Sequence, residues 1–576
     1  MKKILTCMLA VAMLLAFCVG CGNQPADVST PVDNSVSDVS TTTTADTTTT
    51  TEDASTGDTT TEDVSVDTTT EDAADADTTT AKPSTTTAKP TATQTQSTTK
   101  PTTKPTTKPT TKPTTKTNTT TKTNTTTTTT TVVTTTTTAA QPKAKLNDVN
   151  LSEYTIVYGA NASDYVIRAA MQISLEIEKR VGIELEVYSD ADIEVGEHEI
   201  VVGETNRTIS KVLNASTGDL EFALMANGGH VAMEAKYFTI AAAAYYFIET
   251  YITGENMDTA VPTKATVCQP IVEKPNNFIF LIGDGMGVNQ TLLFEAMSAS
   301  NQTDYSDGER AFYGYSFPYA GFARTDSLDG TTDSAAGGTA LSTGSKTKNG
   351  RVGRDKDKND LLSLTELAGS LGMATAVMST ESPIGATPAS FSAHANKRDD
   401  NDQLYESQNI LKQTYGTIIN CQFDFYSAYG LEILEGSIQN TLDKVSKNEK
   451  GFFLMYEEAH IDKHSHNQDA AKTFRAVVRF NQAIGLFMEY AFYNPDTFVL
   501  ITADHETGGL QKDGTTFKYS HGNHTSANVP IFAYGIGGEL FDGKTIENVQ
   551  IPKTIARFMG GSLMTSTDDV YPPLNP

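Results

Sequence analysis

Cysteine, histidine and positive charge are all scarce in this chain. It holds five cysteines in 576 residues, and three of them, Cys7, Cys18 and Cys21, fall near the start. The remaining pair, Cys268 and Cys421, stand too far apart in the chain to read as a disulfide scaffold or a zinc knuckle. Lysine and arginine number 43 against 70 acids, a net charge of -27. That balance excludes nucleic acid as a partner, because holding a phosphate backbone needs clustered cations. After the first twenty-odd residues no apolar run approaches bilayer-spanning length. From about Gln24 to Gln141 large apolar residues are almost absent, so this stretch cannot bury enough surface to offset its chain entropy.

What is present divides the chain into four parts. Residues 1–21, "MKKILTCMLAVAMLLAFCVGC", have two lysines, an apolar run and then small residues, the layout of a secretory signal peptide. The run ends in Val19-Gly20-Cys21-Gly22, which resembles the lipobox of bacterial lipoproteins and implies a lipid anchor at Cys21. Cys18 stands where that motif has leucine. Residues 22–141 are predicted to be a disordered linker rich in threonine and proline, including "TTKPTTKPTTKPTTKPTTK". Charge and proline both stiffen it into a stalk suited to holding a domain away from a membrane and through a cell wall.

Residues 142–270 read as a small α/β domain. "YTIVYG", "ELEVYSD" and "HEIVVGET" have strand character, and "LEFALMANGGHVAMEA" reads as a hairpin turning at Asn227-Gly228-Gly229. "DYVIRAAMQISLEIEKRVGI" and "YFTIAAAAYYFIETYI" carry helical spacing. The unit has no cluster of acids or histidines. It resembles the α/β domain that precedes the catalytic barrel of several glycoside hydrolase families, which suggests proximity to cell-wall polysaccharide, but fold analogy alone does not carry function, and a structural or docking module is expected rather than carbohydrate binding.

"EKPNN" is a plausible joint to the part from 271 to 576. "FIFLIGDGMG" then has the form of a buried parallel strand ending in a glycine-rich turn. A dinucleotide fingerprint fails because Val288 stands where its last glycine is required, and Gly344-Ser345-Lys346-Thr347 lacks the adjacent Gly-Lys of a P-loop. Ser334 lacks the flanking glycines of a hydrolase elbow. Histidine supplies the alternative. Of nine in the chain, six lie between His460 and His524, interleaved with acids in "YEEAHIDKHSH", "ITADHETGG" and "SHGNHTS". Imidazoles and carboxylates on several segments are what a zinc site needs, since its ligands must converge from different directions.

The order of "IGDGMG", "TDSAAGGTA", "ATPAS" with "AHANKR", "EEAHIDKHSH", "TADHETGG" and "HGNHT" resembles the alkaline phosphatases. The resemblance implies a three-layer α/β/α sandwich around a mostly parallel sheet, with the site at the strand C-terminal ends. It implies a metal-dependent phosphomonoesterase acting on small phosphate monoesters through a phosphoserine. Ser334 then matches the nucleophile, Asp333 the acid that orients serine and arginine, and Arg398 the phosphate clamp. Asp462, His466 and His524 match the ligands of a first Zn2+, and Asp284, Asp504 and His505 those of a second. Asp284, Glu457 and Thr387 match a third site, usually Mg2+. Two positions depart from or qualify the pattern. Gly385 stands where the family carries Asp or His near the third metal, which weakens that site, and Lys463 matches a lysine that in part of the family reaches phosphate through water. His460, His464 and His521 have no counterpart. The segment between Arg398 and Glu457 is short for the family, so the crown-like subdomain of longer members is expected to be missing. The competing readings are a phosphodiesterase of the same metal superfamily and a surface binding protein with a relict phosphatase domain.

Overall fold

A computed structural model describes residues 143–213, 217–299, 312–421, 430–514 and 516–563. The leader, the Cys21 motif and the whole threonine-rich stretch lie outside the described residues. All the described residues belong to one compact unit, 129–576.

Two sheets organise this unit. The first is built from β1 (Thr155–Tyr158), β2 (Val187–Ser189), β3 (Glu199–Val202), β4 (Phe222–Asn227), β5 (His230–Ala235) and β6 (Thr266–Cys268), in spatial order β2-β1-β3-β5-β4-β6. β4 and β5 form the expected hairpin, with Asn227 opposite His230. Gly228 and Gly229 sit at φ +59° and +93°, a pair of left-handed conformations that a two-residue hairpin turn demands and glycine adopts without a Cβ penalty. Helices α1 (Asp164–Val181) and α2 (Ile240–Tyr251) pack together on this sheet.

The second sheet has eight strands: β7 (Asn277–Gly283), β8 (Tyr319–Arg324), β9 (Ala374–Ser379), β10 (Ile418–Cys421), β11 (Phe452–Glu458), β12 (Thr497–Thr502), β13 (Val529–Tyr534) and β14 (Thr545–Glu547). Their order is β10-β9-β11-β7-β12-β13-β8-β14. Every pairing is parallel except the two made by β13. β7, β11 and β12 are buried along their whole length, which is why they read as continuous apolar runs rather than alternating ones. The flanking helices include α3 (Ser334–Thr343), α4 (Leu364–Ser370), α5 (Ala386–Ser390), α6 (His460–His466), α7 (Ala470–Tyr493) and α8 (Gln550–Phe558). α4 and α5 lie on β9 and β11, with α3 and α8 packed against them, while α7 lies across β7, β11 and β12. The outcome is the three-layer α/β/α sandwich with a mostly parallel sheet.

α7 is shared between the two sheets. It contacts α2 and the turn before it, and Phe238 packs tilted against Phe492 and edge-on to Tyr313, at 5.7 and 4.7 Å. Arg168 on α1 pairs with Glu489 on α7 at 2.8 Å. One continuous apolar core runs through both halves. The Glu273–Asn277 joint is held as well, its N–H groups donating to the carbonyls of Pro495 and Asp496.

Register sets the site. Ile282 on β7 lies beside Glu457 on β11 and Thr502 on β12, and Ser379 on β9 lies beside Glu457. The residues just past the ends of β7 and β12, Asp284 and Asp504-His505, therefore emerge at one level with Glu457, along the sheet edge where parallel α/β folds bind ligands.

Candidate active site

Ser334 is the first residue of α3, and Asp333 is its N-cap. The Asp333 carboxylate accepts the Ala336 N–H at 3.0 Å and the Gly350 N–H at 3.0 Å, and Arg398 Nη1 donates to it at 3.2 Å. The Arg398 N–H in turn donates to the Gly350 carbonyl at 2.8 Å. One carboxylate thus fixes the helix start and the arginine loop together, while 43% of the Arg398 side chain stays exposed at the cleft rim. Ser334 is buried, with Oγ 3.1 Å from His505 Nε2.

α3 can approach this closely because of its glycines. A Cβ on Gly337 would meet the Asp504 carbonyl oxygen at 3.0 Å, and one on Gly338 would meet Ser390 Oγ at 3.0 Å and Thr387 Cα at 3.3 Å. Gly285, at φ +72°, lets the turn after β7 run against Asp462, whose Cα would lie 2.9 Å from an added Cβ.

The expected metal residues converge in two groups that meet at His505, with Asp462, His505 and His524 in one and Asp284, Asp504 and His505 in the other. In the first, Asp462 Oδ1 is 3.3 Å from His466 Nε2 and 3.5 Å from His524 Nε2, and the two imidazoles are 3.0 Å apart. His466 Nδ1 faces the Gly522 carbonyl at 2.6 Å and His524 Nδ1 the Thr332 carbonyl at 2.9 Å. These carbonyls take the Nδ1 protons and turn both Nε2 atoms inward. In the second group, Asp504 Oδ1 accepts from the Gly285 and His505 N–H groups. His505 Nε2 lies 3.2 Å from Asp504 Oδ2 and 3.7 Å from Asp284 Oδ1, and among the described residues neither of those oxygens has a hydrogen-bond partner. Thr507 donates to Asp462 and faces His505 Nδ1 at 3.2 Å, which again assigns the proton to Nδ1. Glu457 Oε1 and Thr387 Oγ1 are likewise buried, with no hydrogen bond of full geometry among the described residues. Buried acceptors this rich in negative charge and this poor in donors fit cations.

Electrostatics agree. Burial, reinforced by the charge of Asp504, holds the Asp284 carboxyl well above the usual range. Burial and the Glu381 charge do the same to Glu457, and burial with the Asp462 charge pushes Asp504 up to about 7. Burial also keeps His505 neutral, pulling it down to about 4. For Asp462 burial acts upward, but the His466 bond, the His505 charge and the Thr507 hydroxyl outweigh it and hold the group at about 2. His466, bonded to Asp462, rises to about 9, so a cation entering there must displace a proton.

Every residue expected at the site is therefore gathered at one cleft. Two neighbours went unanticipated. Thr507 sits inside the quoted "TADHETGG" but carries no ligand-type signal of its own. Glu381 lies in the loop after β9, and its Oε2 is 2.6 Å from Lys463 Nζ. The unmatched His460 instead sits 3.4 Å from Glu458, which is buried and paired with Arg479.

Carboxylates and imidazoles set for divalent cations, around a serine at a helix start and beside an arginine, define a metal-dependent phosphatase on an α/β/α sheet. Residues 275–424 and 432–521 match the family model described as "Alkaline phosphatase". Alkaline phosphatase 4 of Bacillus subtilis (strain 168) is 26% identical over 381 residues, spanning 57% of this chain and 80% of its own. Alkaline phosphatase of Escherichia coli (strain K12) is 26% identical over 401 residues, 47% of this chain and 83% of its own. The solved alkaline phosphatase of the Antarctic bacterium TAB5 is 25% identical, covers 50% of this chain and 99% of its own, and aligns with a TM-score of 0.45.

Proposed function

We propose that the chain hydrolyses phosphate monoesters through a phosphoserine at Ser334. Asp462, His466 and His524 would hold one Zn2+, Asp284, Asp504 and His505 a second, and Asp284, Glu457 and Thr387 a Mg2+. When bound, such ions supply the positive charge that favours serine alkoxide and stabilises the leaving oxygen. The chain's own groups do the rest. Arg398, anchored through Asp333, has N–H donors left over for the nonbridging oxygens. The free N–H groups and dipole at the start of α3 add positive potential beside the phosphate. Asp333, committed to three donors, acts as an anchor and not as a base. Ser334 Oγ attacks phosphorus, the ester oxygen departs as alcohol, and water then takes the phosphoryl group, restoring the hydroxyl and releasing inorganic phosphate.

The observation that carries this reading is Ser334 Oγ at 3.1 Å from His505 Nε2, where both cation groups meet. Turnover of aryl monoester and diester substrates tests it, with and without chelator and with Zn2+ and Mg2+ returned separately. Monoester turnover should dominate, vanish on chelation and return with zinc, and Ser334→Ala should abolish it. Faster diester turnover would favour the diesterase reading instead. In the same reading the leader exports the chain and Cys21 anchors it at the cell surface. The threonine-rich stretch acts as the stalk, and the six-stranded sheet serves as a structural module. Cys21→Ser should then release activity into the medium.

A further inference from the structure

The space that Gly385 leaves open at the third cation group is filled from elsewhere in the chain. A Cβ on Gly385 would come within 1.9 Å of Glu381 Oε1 and 2.1 Å of its Cδ, so the Glu381 carboxylate rests directly on the bare glycine. Only 15% of this side chain is exposed. The Glu381 N–H donates to Ser379 Oγ at 3.0 Å, and the same hydroxyl donates to Glu457 Oε2. Glu381 is thereby tied to a carboxylate of the third group through one shared serine. Of the neighbouring charges, that of Glu381 acts most strongly on Glu457, and it acts on Asp284 as well. Among the described residues Glu457 Oε1, Asp284 Oδ1 and Thr387 Oγ1 are buried oxygens with no hydrogen bond of full geometry, and Lys463 Nζ reaches Glu381 Oε2 from the cleft side.

Resting on the metal-dependent reading above, we propose that Glu381 completes the third cation site in place of any side chain at position 385, and that its second oxygen holds Lys463 over the phosphate cleft. An all-oxygen set of carboxylates and a hydroxyl suits a hard cation such as Mg2+. Gly385 then opens the site to Glu381, and does not weaken it.

The test titrates Mg2+ into zinc-loaded protein by calorimetry and counts zinc and magnesium per chain. Wild type should bind two zinc ions and one Mg2+. Glu381→Gln should keep both zinc ions and lose tenfold or more in Mg2+ affinity, the usual effect of removing a group that supports a metal site. The double variant Glu381→Ala with Gly385→Asp, which returns a carboxylate from the other position, should regain Mg2+ affinity to within a few fold of wild type, ruling out misfolding as the cause. Unchanged Mg2+ affinity in Glu381→Gln overturns the proposal, and so does a double variant as weak as Glu381→Gln. Two zinc ions with no Mg2+ binding in wild type would sink this proposal alone, whereas wild type without zinc would sink the metal-dependent reading beneath it.

Discussion

Gly337 sets helix stability against catalytic geometry at a single residue. Glycine inside a helix costs about 1 kcal/mol relative to alanine, so Gly337→Ala should strengthen α3 taken alone. The new methyl group would, however, press on the Asp504 carbonyl at 3.0 Å, in the segment that carries Asp504 and His505. Small displacements of reacting groups are expensive in rate, about 100-fold for 1 Å, and a shift of a few tenths of an ångström should cost roughly tenfold. Gly337→Ala is expected to keep or slightly raise the melting temperature while lowering kcat/KM about tenfold; unchanged kcat/KM would show that this close approach plays no part in turnover. The residue scale also marks where sequence stops informing. Asp284, Asp504 and His505 were legible because each follows a continuous apolar run, and a buried parallel strand delivers whatever comes next to the sheet edge, whereas Glu457 came only through the resemblance of "EEAHIDKHSH". Glu381 was not, because it lies in an irregular loop after β9. Nothing in "STESPIGATPAS" says that the loop folds back to lay a carboxylate on the glycine four residues later.

Between elements, His394 ties the arginine-bearing loop to α4. Its Nε2 lies 2.9 Å from Glu366 Oε1 and its Nδ1 2.8 Å from the Gly353 carbonyl, and Glu366 closes the capping box of α4 with Ser363. Both ring nitrogens face acceptors, an arrangement that only the doubly protonated imidazole satisfies. Burial alone would lower His394, but the Glu366 carboxylate and the Gly353 carbonyl reverse it and raise the group. For Glu366 burial acts upward, and the bond to His394 with the Ser363 contacts brings it below the usual range. The signs define a window. A raised histidine contributes stability in full below its unfolded value of about 6.5 and loses the contribution as pH rises through the folded value. A lowered carboxylate contributes in full above about 4.3 and loses it as pH falls. The pair is therefore strongest between about pH 4.3 and 6.5 and fades on the alkaline side. His394→Gln should cost about 1.5–3 kcal/mol, the scale of a hydrogen bond to a charged group, when urea unfolding is measured at pH 6, and clearly less at pH 9. An equal cost at both values would mean that the ring acts only as a neutral donor. The motif "AHANKR" pointed to Arg398; that its histidine is a strut came only with the folded contact to α4, which lies 28 residues earlier.

Across the whole molecule, the cleft gathers more acid than the fold can keep ionised without cations. Asp284, Glu457 and Asp504 all bind protons more tightly folded than unfolded, through burial first and then through one another and their neighbours Asp462 and Glu381. Here the sign is opposite to that of Glu366. A carboxylate raised on folding makes the folded state the better proton binder, so stability falls as pH climbs from the unfolded value toward the folded one and levels off above it. Asp504 alone, at about 7 when folded, spans about 1.5 pH units between pH 5.5 and 7, worth about 2 kcal/mol at 1.36 kcal/mol per unit. Bound cations would replace those protons and remove the dependence. Chelated protein should thus melt several degrees lower at pH 8 than at pH 5.5, while zinc- and magnesium-loaded protein should show a smaller change or the reverse. The gap between loaded and chelated melting temperatures should accordingly widen with pH. His466, at about 9 when bonded to Asp462, adds to the widening, since the proton a cation must displace from it is given up more readily as pH rises. A gap that stayed constant from pH 5.5 to 8 would mean that the carboxylates at the strand ends are not what binds the metal.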